Sequence, residues 1–214
     1  MEYLVSMTTH VPEGTPDEAV QGIRGSEAAR ASDLAVQGHL LRLWRPPLQP
    51  GEWRTLGLFA ADDDAQLEAV LASMPLRVWR TDQATPLSPH PNDPRPQTRG
   101  PGSPTPAAGG SEFLTTFTIT VPDRTPAGTV ADTEAREADR ARELAAQGHL
   151  LRLWRLPGHG RALGLWQADN TARMQAILAS LPLRAWMSVE TTPLTAHPSD
   201  PALASRDQTG HGPT

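Results

Sequence analysis

Two reactive residue types are missing from the 214-residue sequence. It contains no cysteine, and all 19 of its basic residues are arginine, so it has no lysine either. The lack of cysteine excludes disulfides, thiolate nucleophiles and cysteine-ligated metal sites. The lack of lysine excludes Schiff-base chemistry and a lysine general base.

Long apolar runs and a basic surplus are also missing. No apolar run approaches the roughly 20 residues of a membrane-spanning helix, and the first residues lead into a strand-like pattern without the basic and apolar regions of a signal peptide. The net charge of −5 and the pI near 5.8 would not neutralise phosphates. We therefore expect a cytoplasmic protein with neither a membrane nor a nucleic-acid partner.

One segment of the sequence occurs twice. The nine residues QGHLLRLWR occupy positions 37–45 and again positions 147–155, at an offset of 110. Further along the offset becomes 107, where LASMPLR at 71–77 matches LASLPLR at 178–184. A repeat of this length is a whole small domain, far longer than the unit of a solenoid.

The repeat divides the chain into four parts. We predict a first module at residues 1–91, a Pro/Gly-rich linker at 92–111, a second module at 112–198 and a tail at 199–214. The linker and the tail contain few large apolar residues, so they cannot bury enough surface to offset the entropy of ordering. Both are expected to be disordered.

Each module has the pattern of a βαββαβ unit. Alternating segments at 2–10 and 113–121 predict first strands, and Gly38 and Gly148 are expected to end the long helices. About 90 residues form a marginal independent core, and one sheet face stays uncovered. The predicted fold class is therefore α+β, with two ferredoxin-like modules packed sheet to sheet within one chain as a pseudo-dimeric α+β barrel.

Several short motifs in this order resemble the muconolactone isomerase family. They are the helix with an inward glutamate, the Gly-x-x-x-x-Leu-Trp-Arg strand, the Leu-Pro-Leu turn and the closing Thr-Pro-Leu-x-x-His-Pro. The resemblance covers nearly all of each module. It implies an active site where two sheets meet, a small unsaturated lactone carboxylate as substrate, and a double-bond shift by proton transfer without a cofactor. It also implies assembly into rings, so that a homo-oligomer of fused pseudo-dimers is expected.

Glu27 and Glu137 are the candidate catalytic bases. Glu27 lies within the apolar stripe of its helix, and burial would raise the pKa of its carboxyl group towards that of a useful base. Glu137 holds the same position in the second module, and the family places its catalytic glutamate here. The alternative is that each glutamate pairs with Arg30 or Arg140, one turn along, and is only structural.

The loop that follows the repeated strand departs from the family. His159 aligns with the histidine of the family's Gly-His-Tyr-x-Asn-Tyr loop and is a third catalytic candidate. The alternative is that it lies on a surface turn and takes no part in catalysis. The polar residues that follow it in the family are replaced by Gly160, Ala162 and Leu163. The first module has neither histidine, tyrosine nor asparagine in this loop.

Four further residues are candidates for substrate binding. Arg45 or Arg155 could clamp a substrate carboxylate through two hydrogen bonds, and the alternative is an ordinary ion pair. Trp44 and Trp154 could contact the substrate or pack in the core. The histidines show no metal-ligand spacing, so no metal site is predicted.

Two functions remain open from the sequence. The first is a cofactor-free isomerase acting on a small unsaturated lactone or carboxylate. The second is a non-catalytic module that binds a small ligand or supports assembly. The glutamate kept in both modules favours the first, and the missing tyrosine and asparagine favour the second.

Overall fold

The structure is a computed structural model that describes residues 1–94 and 110–203. The first repeat contains β1 (Glu2–Thr9), α1 (Asp17–Val36), β2 (Leu40–Arg45), β3 (Arg54–Ala60), α2 (Asp64–Ala72), a 3-10 helix (Pro75–Trp79) and β4 (Arg80–Pro89). The second contains β5 (Ser111–Ile119), α3 (Ala127–Ala146), β6 (Leu150–Arg155), β7 (Arg161–Ala168), α4 (Thr171–Ala179), a 3-10 helix (Pro182–Trp186) and β8 (Met187–Ala196). The predicted α+β fold with two ferredoxin-like βαββαβ modules is confirmed.

The described chain forms two compact units whose boundaries fall inside β4 and β8. Unit 1 consists of residues 1–87 and 195–203, and unit 2 consists of residues 88–94 and 110–194. Each unit therefore contains nearly all of one repeat. It also contains the last two residues of the other repeat's final strand and the segment that follows them.

Unit 1 has an antiparallel sheet in the order β4–β1–β3–β2. At its edge, Trp44 and Arg45 of β2 pair with Ala196 and Thr195. Alternate residues of β1 are buried, as expected for a strand with one covered face. The core between this face and α1 contains Leu34, which is completely buried; truncating such a leucine to alanine costs about 2–5 kcal/mol.

Unit 2 repeats this arrangement with the order β8–β5–β7–β6. Residues 88 and 89 extend its sheet by pairing with the end of β6. Its core includes an edge-to-face contact between Phe117 and Trp166, with ring centroids 6.2 Å apart.

The first long helix ends as the sequence predicted. Gly38 has a φ of +78°, a conformation that favours glycine. The N–H groups of Gly38 and His39 donate to the carbonyls of Ala35 and Leu34, which is the Schellman pattern. Gly148 adopts a similar φ of +76° at the end of α3. The turn directs the chain from each helix into the repeated strand.

Two short segments that the sequence assigned to the linker and the tail are ordered. Asp93, in the turn after β4, is ion-paired with Arg152 of β6, and Asp200, in the turn after β8, is ion-paired with Arg42 of β2. The expectation of disorder is wrong for these turns, because a buried ion pair fixes each of them. For residues 95–109 and 204–214 that expectation lies outside the described residues and stays a prediction, as do the domain boundaries.

No helix in residues 1–94 and 110–203 is both long and apolar enough to cross a membrane.

Candidate active site

A cavity of about 200 Å³ lies in unit 1 between α1 and the sheet face that packs on it. Its walls come from α1, β1, β2, the start of β3, the region of the first 3-10 helix and residues 197–199. Drug-sized ligands occupy pockets of about 300–1,000 Å³, so this cavity suits a smaller molecule. This cavity lies between a helix and a sheet, whereas the resemblance implied an active site between two sheets; that implication stays a prediction.

Glu27 projects from α1 into this cavity, and its side chain is 13% exposed. One carboxylate oxygen, Oε2, accepts a hydrogen bond from the backbone N–H of Leu76 at 2.8 Å. The other, Oε1, accepts from Nη1 of Arg80 at 2.8 Å. Burial raises the pKa of Glu27, and these two donors limit the rise because they favour the ionised form. Glu27 is thus a half-buried carboxylate held in a fixed position.

Arg80 is itself fixed by acidic residues. Its side chain is 2% exposed, and its Nε and Nη2 donate to the two oxygens of Asp82 at 2.6 and 3.0 Å. Asp82 also accepts a 2.7 Å hydrogen bond from Arg77. A guanidinium group bound on both sides by carboxylates has little freedom to leave Glu27.

Two other guanidinium groups at the cavity lack acidic partners. Arg24 and Arg45 line the cavity and are exposed, and neither forms an ion pair within the described residues. The Cζ atom of Arg24 lies 5.3 Å from the ring centroid of Trp53, within cation–π range. These groups can bind the carboxylate of a ligand, since arginine recognises carboxylates through two parallel hydrogen bonds.

The segment that follows β8 brings a histidine to the same cavity. His197 lines it, and the N–H of His197 donates to the carbonyl of Leu43 at 3.0 Å. Burial, assisted by the positive charge of Arg45, lowers the pKa of His197 to about 4. The imidazole is therefore neutral at pH 7.

A buried ion pair holds this segment against β2. Nε and Nη2 of Arg42 donate to Asp200 at 3.1 and 3.0 Å, and the N–H of Leu43 donates to the same carboxylate at 3.1 Å. The two side chains are 1% and 0% exposed. The guanidinium group also stacks 4.8 Å from the ring centroid of Trp44. The sequence separation of the pair is large, but the contact lies entirely within unit 1.

Unit 2 keeps the glutamate and loses its charged surroundings. Oε2 of Glu137 accepts the N–H of Leu183 at 2.9 Å, and burial raises the pKa of Glu137. Among the described residues Glu137 has no ionic partner. Strand pairing aligns Met187 of unit 2 with Arg80 of unit 1. The same repeat alignment replaces Asp82, Arg24 and Trp53 by Val189, Glu134 and Gly160.

A family model described as muconolactone delta-isomerase matches residues 1–93 and 111–200. The chain belongs to the muconolactone delta-isomerase family. The curated relatives include muconolactone delta-isomerase 1 of Acinetobacter lwoffii, 31% identical over 87 residues that make up 41% of this chain and 91% of the relative. The muconolactone delta-isomerase of Cupriavidus pinatubonensis is 29% identical over 87 residues, or 41% of this chain and 95% of the relative. Each relative is thus about the size of one module, which agrees with a duplicated isomerase domain.

Solved structures of similar fold extend over both modules. A heme-binding protein from Thermus thermophilus has a TM-score of 0.58 at 12% identity and covers 99% of this chain and 96% of its own. Chlorite dismutase from Candidatus Nitrospira defluvii has a TM-score of 0.56 at 11% identity, with coverage of 95% and 94%. At these identities the likeness shows the fold alone.

The structure brings together some of the residues predicted from the isomerase motifs. Glu27 and Arg45 line one cavity in unit 1. Glu137 and Arg155 belong to unit 2, where the charge of Arg155 helps to lower the pKa of His90. The catalytic and binding roles of these four residues stay predictions. The alternative pairing of Glu27 with Arg30 is wrong, because Arg30 donates instead to Ser73 at 3.0 Å.

Three predicted site residues lie elsewhere. Trp44 is 1% exposed and alternates along β2 with the cavity-lining Leu43 and Arg45, so it points to the opposite face of the strand. Trp154 is 2% exposed, with the guanidinium group of Arg152 4.6 Å from its ring centroid. Both tryptophans pack against the buried arginines, and their role in substrate binding stays a prediction. His159 is exposed on the turn after β6 and makes no hydrogen bond to any residue of the described chain.

Three cavity residues were missed: Arg24, Arg80 and His197. The first two differ between the repeats, so the match between the repeats gives no signal for them. A signal for His197 was present, because the repeat continues past the predicted module ends as His-Pro-Asn-Asp-Pro at 90–94 and His-Pro-Ser-Asp-Pro at 197–201. A shared aspartate after the histidine indicates an ordered turn. Within the described residues no group of three or more histidine, aspartate or glutamate side chains could hold a metal ion.

Proposed function

We propose that this protein is an isomerase that shifts a carbon–carbon double bond in a small unsaturated lactone bearing a carboxylate, with Glu27 as the base. The observation that carries the proposal is the half-buried carboxylate of Glu27 in a 200 Å³ cavity, whose lining also includes two guanidinium groups that form no ion pair within the described residues. A base and a carboxylate binder are the two groups that such a substrate requires. The family membership supports the reaction class.

The reaction is a proton transfer along the substrate. Glu27 removes the proton from the carbon γ to the lactone carbonyl, and the electron pair moves through the α,β double bond to give a dienolate. The protonated Glu27 then returns the proton to the α carbon, which leaves the double bond between the β and γ carbons. Atoms and charge balance without an oxidant, and burial makes Glu27 a stronger base than an exposed carboxylate.

Substrate orientation falls to the guanidinium groups of Arg24 and Arg45. Neither is neutralised by an acidic side chain in residues 1–94 and 110–203, so no protein carboxylate there competes with that of the substrate. A charge-assisted hydrogen bond of this kind is worth about 1.5–3 kcal/mol. Binding at the carboxylate would hold the ring beside Glu27.

We assign the activity to unit 1. Unit 2 has Glu134 where unit 1 has Arg24, so a substrate carboxylate would be repelled there. Met187 and Val189 pack against the apolar core of unit 2 where unit 1 has the Arg80–Asp82 pair. The second module would then support the first without turning over substrate.

A second function is favoured by one feature of the same site. Both oxygens of Glu27 already accept hydrogen bonds, one of them from an arginine. A carboxylate held in this way can serve as a fixed structural anion, and the protein would then bind a small carboxylate without reacting with it. The expected cytoplasmic location and homo-oligomeric state apply to either function and stay predictions.

The experiment is the ultraviolet absorbance change after mixing the protein with muconolactone. The wild type is expected to turn over, Glu27→Gln to lose at least about 10²-fold in kcat because it lacks the general base, and Glu137→Gln to stay within about twofold of the wild type. Wild-type binding of muconolactone, measured by calorimetry, without any absorbance change would favour the binding function. Equal losses in both variants would refute the assignment to unit 1.

A further inference from the structure

His197 presents one defined face of its ring to ligands. Its Nδ1 accepts a hydrogen bond from the N–H of Ser199 at 3.1 Å. A neutral imidazole carries one proton, so acceptance at Nδ1 places that proton on Nε2. His197 is therefore a neutral N–H donor whose tautomer is fixed by the backbone of its own turn.

The Nε2 atom is free to donate a hydrogen bond. It makes no hydrogen bond to any residue in the described part of the chain. It is not buried either, because Nε of Arg54 is the one buried side-chain nitrogen or oxygen there that lacks a hydrogen bond. An unpartnered Nε2 that is not buried can be reached by a ligand. Because His197 lines the cavity, that ligand would be the one beside Glu27.

The turn that carries the ring is rigid. The N–H of Asp200 donates to the carbonyl of His197 at 2.8 Å, which closes a four-residue turn with Pro198 at its second position. The carboxylate of the same aspartate forms the buried pair with Arg42. Preorganised donors stabilise developing charge better than mobile ones, since they do not have to reorient during the reaction.

We propose that His197 is a catalytic residue of the unit 1 site, where its Nε2–H donates a hydrogen bond to the lactone carbonyl oxygen as that oxygen gains negative charge. This inference rests on the proposed isomerase function. The double-bond shift passes through a dienolate, so the carbonyl oxygen is the atom that needs a donor. A neutral ring serves here because it stabilises the oxygen without giving up its proton, which leaves Glu27 as the only group that moves one.

Two substitutions separate the two ring nitrogens. His197→Gln extends an amide N–H to about the position of Nε2, whereas His197→Asn places its amide near Nδ1 and leaves no donor towards the cavity. We expect His197→Asn to lower kcat by about 10²–10³-fold, the usual loss on removal of one such donor. We expect His197→Gln to stay within about tenfold of the wild type, and KM to change less than kcat in both variants.

The matched control is His90 of unit 2, whose Nδ1 accepts the N–H of Asn92 at 3.1 Å in the same kind of turn. His90→Asn is expected to leave kcat unchanged. Equal activities of His197→Asn and wild type would overturn the proposal. So would equal losses in His197→Asn and His197→Gln in folded proteins, because that result would assign the ring a packing role.

A direct readout distinguishes this proposal from the isomerase function itself. The ¹⁵N spectrum of the histidines is recorded with and without the saturated lactone carboxylate, which binds but has no double bond to shift. The expected result is an Nε2-protonated His197 whose Nε2 signal moves on binding. An unmoved signal with bound analogue overturns the proposal, even where the wild type turns over muconolactone. A moved signal in a protein that does not turn over muconolactone refutes the isomerase function and with it the catalytic role, and it leaves His197 as a hydrogen-bond donor in ligand binding.

Discussion

Glu27 is joined to Arg80 by a 2.8 Å ion pair, whereas in the repeat of its counterpart Glu137 the position of that arginine is occupied by Met187. Both glutamates are half-buried, and burial raises the pKa of both. In unit 1 the arginine opposes that rise. The two repeats therefore contain the same carboxylate in two electrostatic environments. Substituting the residues around one glutamate by those around the other should convert one environment towards the other.

Transplanting the unit 2 residues into unit 1 should make Glu27 more basic. The double variant Arg80→Met/Asp82→Val removes the arginine together with the aspartate that balances it. An opposite charge at this distance lowers a carboxyl pKa by about 1–3 units, so loss of Arg80 should raise the pKa of Glu27. The simultaneous loss of Asp82, whose negative charge raises this pKa, offsets a smaller part of the rise. The acidic limb of the pH profile of kcat/KM is expected to move upward accordingly.

The single variant Arg80→Met serves as the control for stability. It leaves Asp82, which is 3% exposed, with Arg77 as its remaining arginine partner. Loss of one partner from a buried ion pair costs about 3–5 kcal/mol, so urea denaturation should show the single variant to be less stable than the double variant. An acidic limb that stays in place in the double variant would show that Glu27 is not the group titrating in kcat/KM.

Reversing one charge at the cavity should weaken substrate binding. Arg24→Glu introduces the residue that unit 2 has at this position, Glu134. We expect KM for muconolactone to rise by about 10–100-fold, because a charge-assisted hydrogen bond worth about 1.5–3 kcal/mol is replaced by repulsion, while kcat changes less. Steady-state kinetics measures both constants. The opposite exchange in unit 2, Glu134→Arg, is the control and should leave KM unaltered; a KM that follows Glu134 would reverse the assignment of the site.

The strand and helix order could be predicted from the sequence because it depends on local signals. The alternation in β1 and the glycine at position 38 each specify a conformation from a few neighbouring residues. The position of Glu27 on the packed face of α1 followed from helical periodicity in the same way. These features needed no knowledge of distant contacts.

The partners of the glutamate could not be predicted, because they depend on contacts between residues far apart in sequence. Arg80 lies 53 positions from Glu27, and Asp200 lies 158 positions from Arg42. Helical spacing favoured Arg30, one turn away, but that side chain extends towards Ser73 instead. The position of Trp44 away from the cavity could not be predicted for a related reason: the strand pattern shows that it alternates with Arg45, but not which face borders the cavity.

Folding stability should fall in mild acid because of the two turn histidines. The pKa of His90 and that of His197 are both lowered from 6.5 to about 4, chiefly by burial. Above pH 6.5 both rings are neutral in the folded and the unfolded chain, and their contribution to folding stability is fully present. As the pH falls from about 6.5 to about 4, the unfolded chain binds protons that the folded chain does not, so stability is lost across that window.

The raised pKa values of Glu27 and Glu137 have the opposite effect on folding stability. Their contribution to stability is present below pH 4.5 and is lost as the pH rises through their pKa values in the folded chain. A comparison that changes only the histidines is therefore needed. Urea denaturation of the wild type and of His90→Gln/His197→Gln at pH 7 and pH 5 provides it. The variant is expected to lose less stability between the two pH values; equal losses would mean that the histidines do not titrate differently on folding.

The ion pair of each turn should contribute unequally to stability. Arg42 and Asp200 are 1% and 0% exposed, whereas Arg152 and Asp93 are 7% and 9% exposed. The Nε–Oδ1 distance is 3.1 Å in the first pair and 3.3 Å in the second. Asp200→Asn keeps the shape of the side chain but leaves the charge of Arg42 buried, which should cost about 3–5 kcal/mol. Asp93→Asn should cost less, because water screens the more exposed arginine. Urea denaturation of both variants measures the difference. Because the aspartates hold matching turns, equal costs would mean that burial does not set the strength of these pairs.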